Sequence, residues 1–318
     1  MKKSNLRLVF LFAFLIFTLS FFLNASALSC EKTQITQSGS YEFDNPQTPC
    51  TVVVDSIGTL EIKADNVTID CKGKQITSSI SGEGVFIINH GHNNVDIKNC
   101  KIIGFQKGIT YTTDEQYIEG GTISNNLFKN NLASLVLTKT KNITVGPSNE
   151  FENDYQSIKI WSKREDQTEN HNNIVTNNTF EYTSNPNQYF DNFSKPLADG
   201  WAILIDQSND AEINGNTVTD SYSASTRSLV YVNASSRVSF NDNAISSAPN
   251  GLSIKLKSIG WTGHGGEDGS LDILDTTTGT TNYELNDKID FAEGSNTASG
   301  HYRVKWSIKF TVKNKSGN

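Results

Sequence analysis

Short stretches in which apolar and polar residues alternate recur along the chain, and they fall into three sets that follow one another in the same order. One set reads Leu60-x-Ile62, Ile109-x-Tyr111, Leu135-x-Leu137, Ile158-x-Ile160, Ile203-x-Ile205, Val230-x-Val232 and Leu252-x-Ile254. A second reads Val67-x-Ile69, Val95-x-Ile97, Ile143-x-Val145, Ile174-x-Thr176, Ala211-x-Ile213 and Val238-x-Phe240. A third begins each time on Cys or Asn: Cys100-x-Ile102, Asn126-x-Phe128, Asn149-x-Phe151, Asn178-x-Phe180, Asn216-x-Val218 and Asn243-x-Ile245. Subtracting positions in the third set gives spacings of 26, 23, 29, 38 and 27. Alternation with period 2 marks strands buried on one face, and no unit carries the i, i+3, i+4 stripe of a helix. Three short strands in a repeat this short predict an all-β solenoid, a parallel β-helix of about eight coils, stacked about 4.8 Å apart.

The recurring Asn126, Asn149, Asn178, Asn216 and Asn243 predict a ladder with one rung per coil. Asn tolerates a left-handed backbone at a tight turn, and its amide can pair with the rung above and below. Two residues later, Phe128, Phe151 and Phe180 are expected to stack inside the coil, each contributing roughly 1.5–3 kcal/mol by burial.

The pattern divides the chain into residues 28–58 as an N-terminal cap, 59–257 as the parallel β-helix and 258–318 as a C-terminal β region. In the last region composition shifts to Gly, Thr, Ser and Asp before an alternating run from Tyr302 to Val312. That run resembles the opening of an Ig-like domain, so either a β cap or a partial Ig-like domain is expected. Residues 1–27 read as an export signal: Lys2, Lys3 and Arg7 precede an apolar stretch from Leu8 to Leu23, and Ala25-Ser26-Ala27 offers a cleavage point. The alternative is an uncleaved anchor, although sixteen residues are short for a membrane span.

Export sharpens what the charges and cysteines mean. The net charge of −7 becomes −10 once the signal's three positive residues leave (24 minus 34), which argues against nucleic acid as a partner. The 35 asparagines are partly the ladder and partly other turns. Cys30, Cys50, Cys71 and Cys100 suit an oxidising compartment. Four cysteines allow three pairings. The favoured one joins Cys30 to Cys50 across the cap and Cys71 to Cys100 at matching points of consecutive repeats. No metal site is expected, because no C-x-x-C occurs and the five His are scattered, with His90 and His92 together in a turn.

The runs Asp65-Asn66-Val67-Thr68-Ile69-Asp70-Cys71 and Asn94-Val95-Asp96-Ile97-Lys98-Asn99-Cys100-Lys101-Ile102-Ile103-Gly104-Phe105 resemble the repeats of right-handed parallel β-helix proteins exported by archaea and bacteria. These include a periplasmic copper-processing accessory type and large cell-surface proteins, and the coil is that of the pectin-lyase-like fold. The resemblance covers about residues 50 to 260. It implies a right-handed coil and an exported, secreted, periplasmic or cell-surface protein, but it implies no single activity, because this coil carries lyases, hydrolases, adhesins and structural spikes.

Two units are longer than the rest. The insertions 162–171 and 181–199 flank neighbouring strands and are expected to wall a groove. Lys159, Trp161, Leu204, Asp206, Tyr231, Asn233, Ser253 and Lys255 would form its floor, with Arg164, Tyr189, Asp191 and Asp199 on the loops. Rings beside amides and carboxylates suit a polysaccharide or another cell-envelope component. The expected function is therefore a binding or structural module for carbohydrate that needs no cofactor. The alternative is a lyase or hydrolase in the same groove, using Ca²⁺ if a lyase, with Asp206, Asp199, Lys159 and Arg164 as its candidate residues.

Gly263-His264-Gly265 and Arg303-Val304-Lys305 resemble polygalacturonase motifs. The preceding unit, Ala248 to Lys255, however, lacks the carboxylates that hydrolysis needs. Sequons at Asn66, Asn142, Asn177, Asn192, Asn233 and Asn314 permit glycosylation, with Asn177 expected to be shielded by the ladder.

Overall fold

The computed structural model describes residues 26–44, 47–53, 59–113, 116–162, 171–185, 200–233, 235, 237–248, 252–257, 270–274, 277–278, 289–292 and 301–305. It is a parallel β-helix. Three sheets of 11, 10 and 9 strands run the length of the coil, and the strand pairings within them are parallel. One turn of the coil runs through Val95–Lys98 in the first sheet, Lys101–Ile103 in the third and Phe105–Tyr111 in the second. The next turn repeats the order with Thr122–Ser124, Leu127–Lys129 and Ala133–Thr138.

Burial follows the alternation. In the second sheet Ile87, Ile109, Leu135, Ile158, Ile203, Val230 and Ile254 pair strand to strand as one buried column. In the third, Ile76, Ile102, Phe128, Phe151, Phe180, Val218 and Ile245 do the same. The rings of Phe128, Phe151 and Phe180 stack with centroids 4.8 and 4.6 Å apart and planes within 6°. Parallel strands of identical register leave the rings no other spacing.

The Asn column is continuous. Asn126, Asn149 and Asn178 each donate from Nδ2 to the Oδ1 of the next rung, at 3.1, 2.9 and 3.0 Å, and Asn216 donates to Asn243 at 3.0 Å. The same amides also donate to carbonyls one coil back, among them Ile97, Ile123, Val145 and Val175. The left-handed backbone falls one residue earlier than expected, on Asn125, Ser148, Asn177, Gly215 and Asp242, while the rungs themselves lie buried inside the turn. One residue of each pair makes the bend and the other satisfies the groups that the bend buries.

The structure departs from the sequence reading elsewhere. In the strand Ile174–Thr176 it is Val175 that points inward, in register with Val145 and Ile213, so the expected Ile174 and Thr176 face out. A shift of one residue exchanges the two faces. The cap expected at 28–58 is already coil, since Thr33–Ile35, Gly39–Phe43 and Cys50–Val52 add parallel strands to the three sheets. The coil also runs past 257: Ser270–Leu274, Thr277–Thr278, Ile289–Ala292 and His301–Lys305 stack in parallel on the preceding turns, where an Ig-like opening was one expectation. The coil therefore exceeds the eight turns read from the sequence. Residues 1–25 lie outside the described residues, and the expected cleavage point after Ala27 falls within the strand Ser26–Leu28, which pairs with Tyr41–Phe43.

Cys30 is bonded to Cys50 and Cys71 to Cys100. Two disulfides are those of a chain that folds outside the reducing cytoplasm. Among the described residues no helix is long and apolar enough to cross a membrane.

Candidate functional site

The outer face of the second sheet assembles most of the expected groove floor. Trp161, Asp206 and Asn233 occupy one row on three consecutive strands, and Lys159, Leu204 and Tyr231 occupy the row two residues earlier. Adjacent members of a row are therefore about 4.8 Å apart along the backbone. The Lys159 ammonium lies 5.4 Å from the Trp161 ring centroid. Asn233 Nδ2 donates to Asp206 Oδ1 at 2.8 Å.

Burial pushes the Asp206 carboxyl above its ordinary range, against the pull of the Asn233 hydrogen bond and the Lys159 charge. The Tyr231 phenol is also pushed up, first by burial and then by the neighbouring Asp206 charge. Trp161, Lys159, Tyr231 and Asn233 remain half-exposed, whereas Leu204, expected in the groove, is 4% exposed and contributes packing rather than contact surface. Apolar bulk in the middle of a row is covered by its neighbours.

Lys255 and Ser253 lie on the next strand, Lys255 in register with Tyr231. Arg164, Tyr189, Asp191 and Asp199 fall outside the described residues, as do Gly263, His264 and Gly265. Arg303 sits on the strand His301–Lys305, paired with Asp272. His90 is exposed, and His92 Nδ1 lies 3.3 Å from Asp65.

Among the sequons, Asn66, Asn142 and Asn177 are exposed residues in the left-handed conformation, so the ladder does not shield Asn177. The Asn233 amide is committed to Asp206, and Asn192 and Asn314 lie outside the described residues.

Two groups of polar residues escaped the sequence reading. The first is a second buried column at the corner leading into the second sheet. There Asn131 Oδ1 accepts from Phe105 N–H at 2.8 Å, and Asp154 Oδ1 accepts from the Asn131 backbone and side chain at 2.7 and 3.2 Å. Its signal was available, because Asn131 and Asp154 each follow a stacked Phe by three residues.

The second group sits where the chain leaves the second sheet. His171 is wholly buried: its Nε2 lies 3.0 Å from Tyr117 Oη, and its Nδ1 accepts from the Asn209 N–H at 2.9 Å. The Lys141 ammonium stands 4.2 Å from the Tyr117 ring centroid. Tyr117 and His171 are 54 residues apart and belong to no repeat, so no local pattern joins them.

With this geometry in view, comparison with known proteins adds a structural likeness. The chain is similar to the solved Agl-KA catalytic domain at 12% sequence identity and a TM-score of 0.29, over 85% of this chain and 62% of that one. This chain thus spans less than two thirds of that domain's length. No protein-family model matches the chain, and no curated protein matches it either.

Proposed function

We propose that the chain is an exported β-helix, secreted, periplasmic or at the cell surface, that serves as a binding module for carbohydrate on the outer face of its second sheet. The observation that carries this reading is the half-exposed Trp161 ring, with Lys159 two residues earlier on its own strand and the Asp206–Asn233 pair in register beside it. A sugar ring stacks its C–H face on an aromatic plane while its hydroxyls bond to amides and carboxylates at the edge. The apolar leader and the two disulfides support export. The exposed sequons Asn66 and Asn177 would then carry glycans. Glycan-array screening followed by calorimetry tests the reading: Trp161→Ala should abolish binding of the selected glycan. Binding that survives this substitution unchanged would overturn the assignment of this face.

A second reading, a polysaccharide lyase or glycoside hydrolase, draws on the raised Asp206 carboxyl beside Lys159. Hydrolysis uses two carboxyl groups and Ca²⁺ takes a cage of oxygens. In the two rows that hold Lys159, Leu204 and Tyr231 and Trp161, Asp206 and Asn233, Asp206 is the single carboxylate. Incubation with acidic and neutral polysaccharides separates the two readings, since unsaturated products or new reducing ends would establish catalysis.

A further inference from the structure

The outer face that carries Trp161 is wider than strict alternation would make it. Along Gln156–Trp161 the half-exposed residues are Gln156, Lys159 and Trp161, a spacing of three and then two. The longer step arises because Ser157 and Ile158 both point inward: Ser157 Oγ lies 2.7 Å from the buried Tyr182 Oη, and Ile158 belongs to the buried column. Ser134 with Leu135, and Ala202 with Ile203, are buried at the same step of their strands. A third outward row results, in which Lys107, Ala133, Gln156 and Trp201 pair strand to strand and all are half-exposed.

A second indole therefore stands on the face that holds the first. Trp201 Nε1 is buried and has no hydrogen-bond partner among the described residues, so the surface that this indole presents outward is carbon. Such a surface packs against the C–H face of a sugar ring. Trp161 pairs with Asp206 and Trp201 with Gln156, which sets the two indoles on adjacent strands and about 15 Å apart along them. Lys159 and Leu204 lie between them, in register with each other. Leu204, 4% exposed, gives an apolar floor, and the Lys159 ammonium offers donors to hydroxyl oxygens. Down the coil axis, by contrast, the row that contains Trp161 continues through Asp206 and Asn233 and meets no second ring among the described residues.

We propose that Trp161 and Trp201 are the two stacking platforms of one site for a linear glycan, laid along the strands and across the coil axis. The proposal rests on the carbohydrate reading of the Trp161 face and adds the direction and the minimum length of the ligand. One sugar ring cannot touch both indoles, so the site selects by chain length: a short glycan engages one platform, and a longer one engages both without paying twice for association.

The test measures affinity by calorimetry over series from disaccharide to hexasaccharide: β-1,4-linked glucose, β-1,4-linked N-acetylglucosamine, α-1,4-linked galacturonate and the same lengths of any other backbone that the array selects. In a series that binds, affinity should rise at least about tenfold once the chain spans both indoles. Trp201→Leu, which keeps bulk and loses the ring, should remove that gain and leave disaccharide binding unchanged, whereas Trp201→Phe should retain most of it. Affinity independent of length, or a gain untouched by Trp201→Leu, overturns the second platform and leaves the carbohydrate reading standing. A gain removed by Tyr231→Leu instead means that the glycan runs down the coil, and overturns the proposal equally. Failure of every series and of the array overturns the carbohydrate reading itself. Fluorine NMR of the parent chain labelled with 5-fluorotryptophan keeps the test sharp should Trp201→Leu perturb the strand: the hexasaccharide should shift the Trp161 and Trp201 resonances and the disaccharide only that of Trp161, and a Trp201 resonance unmoved by the hexasaccharide overturns the proposal.

Discussion

Arg227 reaches back through the core of the coil to the corner at Asp154, where its Nη1 donates to the carbonyls of Asp154 and Tyr155, both at 2.8 Å. In the coil before, the equivalent carbonyls of Asn131 and Leu132 accept from the N–H groups of Tyr155 and Gln156. In the coil after, 18 residues separate Tyr182 from Trp201, where three separate Glu152 from Gln156. Arg227 thus supplies donors to carbonyls that the regular ladder would otherwise pair. Its guanidinium is 1% exposed, lies over the Tyr182 ring with Cζ 4.2 Å from the centroid, and has Nε 3.8 Å from Asp220 Oδ2.

Arg227→Met keeps the length of the side chain but removes every donor. It would strand two carbonyls and leave Asp220 buried without its cation, a loss expected to cost about 3–5 kcal/mol. Urea denaturation should show the midpoint falling accordingly. A midpoint shift within the range of surface substitutions would mean that water enters this corner and replaces the guanidinium.

Asp154 gives the fold a pH dependence of unusual sign. Burial raises its carboxyl from 3.8 to about 7, outweighing hydrogen bonds from Ser134 and Asn131 and the attraction of Arg227. Between those values the folded chain holds a proton that the unfolded chain has released. This group's contribution to stability is therefore greatest below pH 4 and declines as pH rises toward 7. Asp154→Asn keeps an Oδ1 acceptor for Asn131 and cannot ionise. The variant should gain stability relative to the parent as pH rises from 4 to 7, and a parallel pair of stability curves would show that Asp154 does not titrate in this window.

On the outer face of the second sheet, Asp206 is pushed up by burial and held down by Asn233 and Lys159. Removing either counterweight should raise its carboxyl further. Carboxyl-carbon NMR titration of Asn233→Ala and Lys159→Met should show the Asp206 midpoint moving upward in both variants. A downward move in either would mean that the residue removed does not stabilise the carboxylate.

How far this architecture can be read from the sequence depends on repetition. Ile158, Ile203 and Val230 announce themselves because each coil must place an apolar side chain at one point, and the Asn rungs do so because each turn buries the same backbone groups. Asp154 repeats only the Asn131 step, too short a column to stand out among so many Asn. Ile174 misleads because it neighbours Val175 and both are apolar, so alternation alone cannot choose the inward one. Lys159, Trp161, Asp206 and Asn233 are recoverable because they sit on repeating strands whose outer face is fixed once the inner face is known. Tyr117, Lys141 and His171 come together through a corner of irregular length, where no period operates. Past residue 257 the spacing lengthens and the alternation thins, which is why coil strands there resemble the start of another domain.

Asn178 offers a direct measure of the ladder. Its Oδ1 accepts from the Asn149 backbone and amide, and its Nδ2 donates to Val145 O and Asn216 Oδ1. Asn178→Ala leaves these buried groups without partners and should cost about 1–3 kcal/mol. Asn178→Asp keeps the acceptor and loses both donations, so it should also destabilise near neutral pH. Thermal unfolding at unchanged temperature in both variants would remove the ladder from the list of stabilising features.

The disulfide between Cys71 and Cys100 is part of the same column. Cys100 N–H donates to Asn126 Oδ1 at 2.9 Å, as a rung does, and the two Cα atoms are 4.8 Å apart, the separation of neighbouring parallel strands. A covalent link therefore stands where two Asn amides would meet. Cys71→Ala with Cys100→Ala removes a cross-link across 29 residues of sequence, worth about 3–4 kcal/mol by loop entropy, and puts no polar group in its place. Cys71→Asn with Cys100→Asn loses the same cross-link but extends the amide ladder by two rungs, recovering about 1 kcal/mol for each hydrogen bond it makes. The Asn pair should accordingly unfold at a higher urea concentration than the Ala pair, and both below the parent. Should the Asn pair be the weaker of the two, these positions would be too apolar to take an amide, and the resemblance between rung and disulfide would be one of spacing alone.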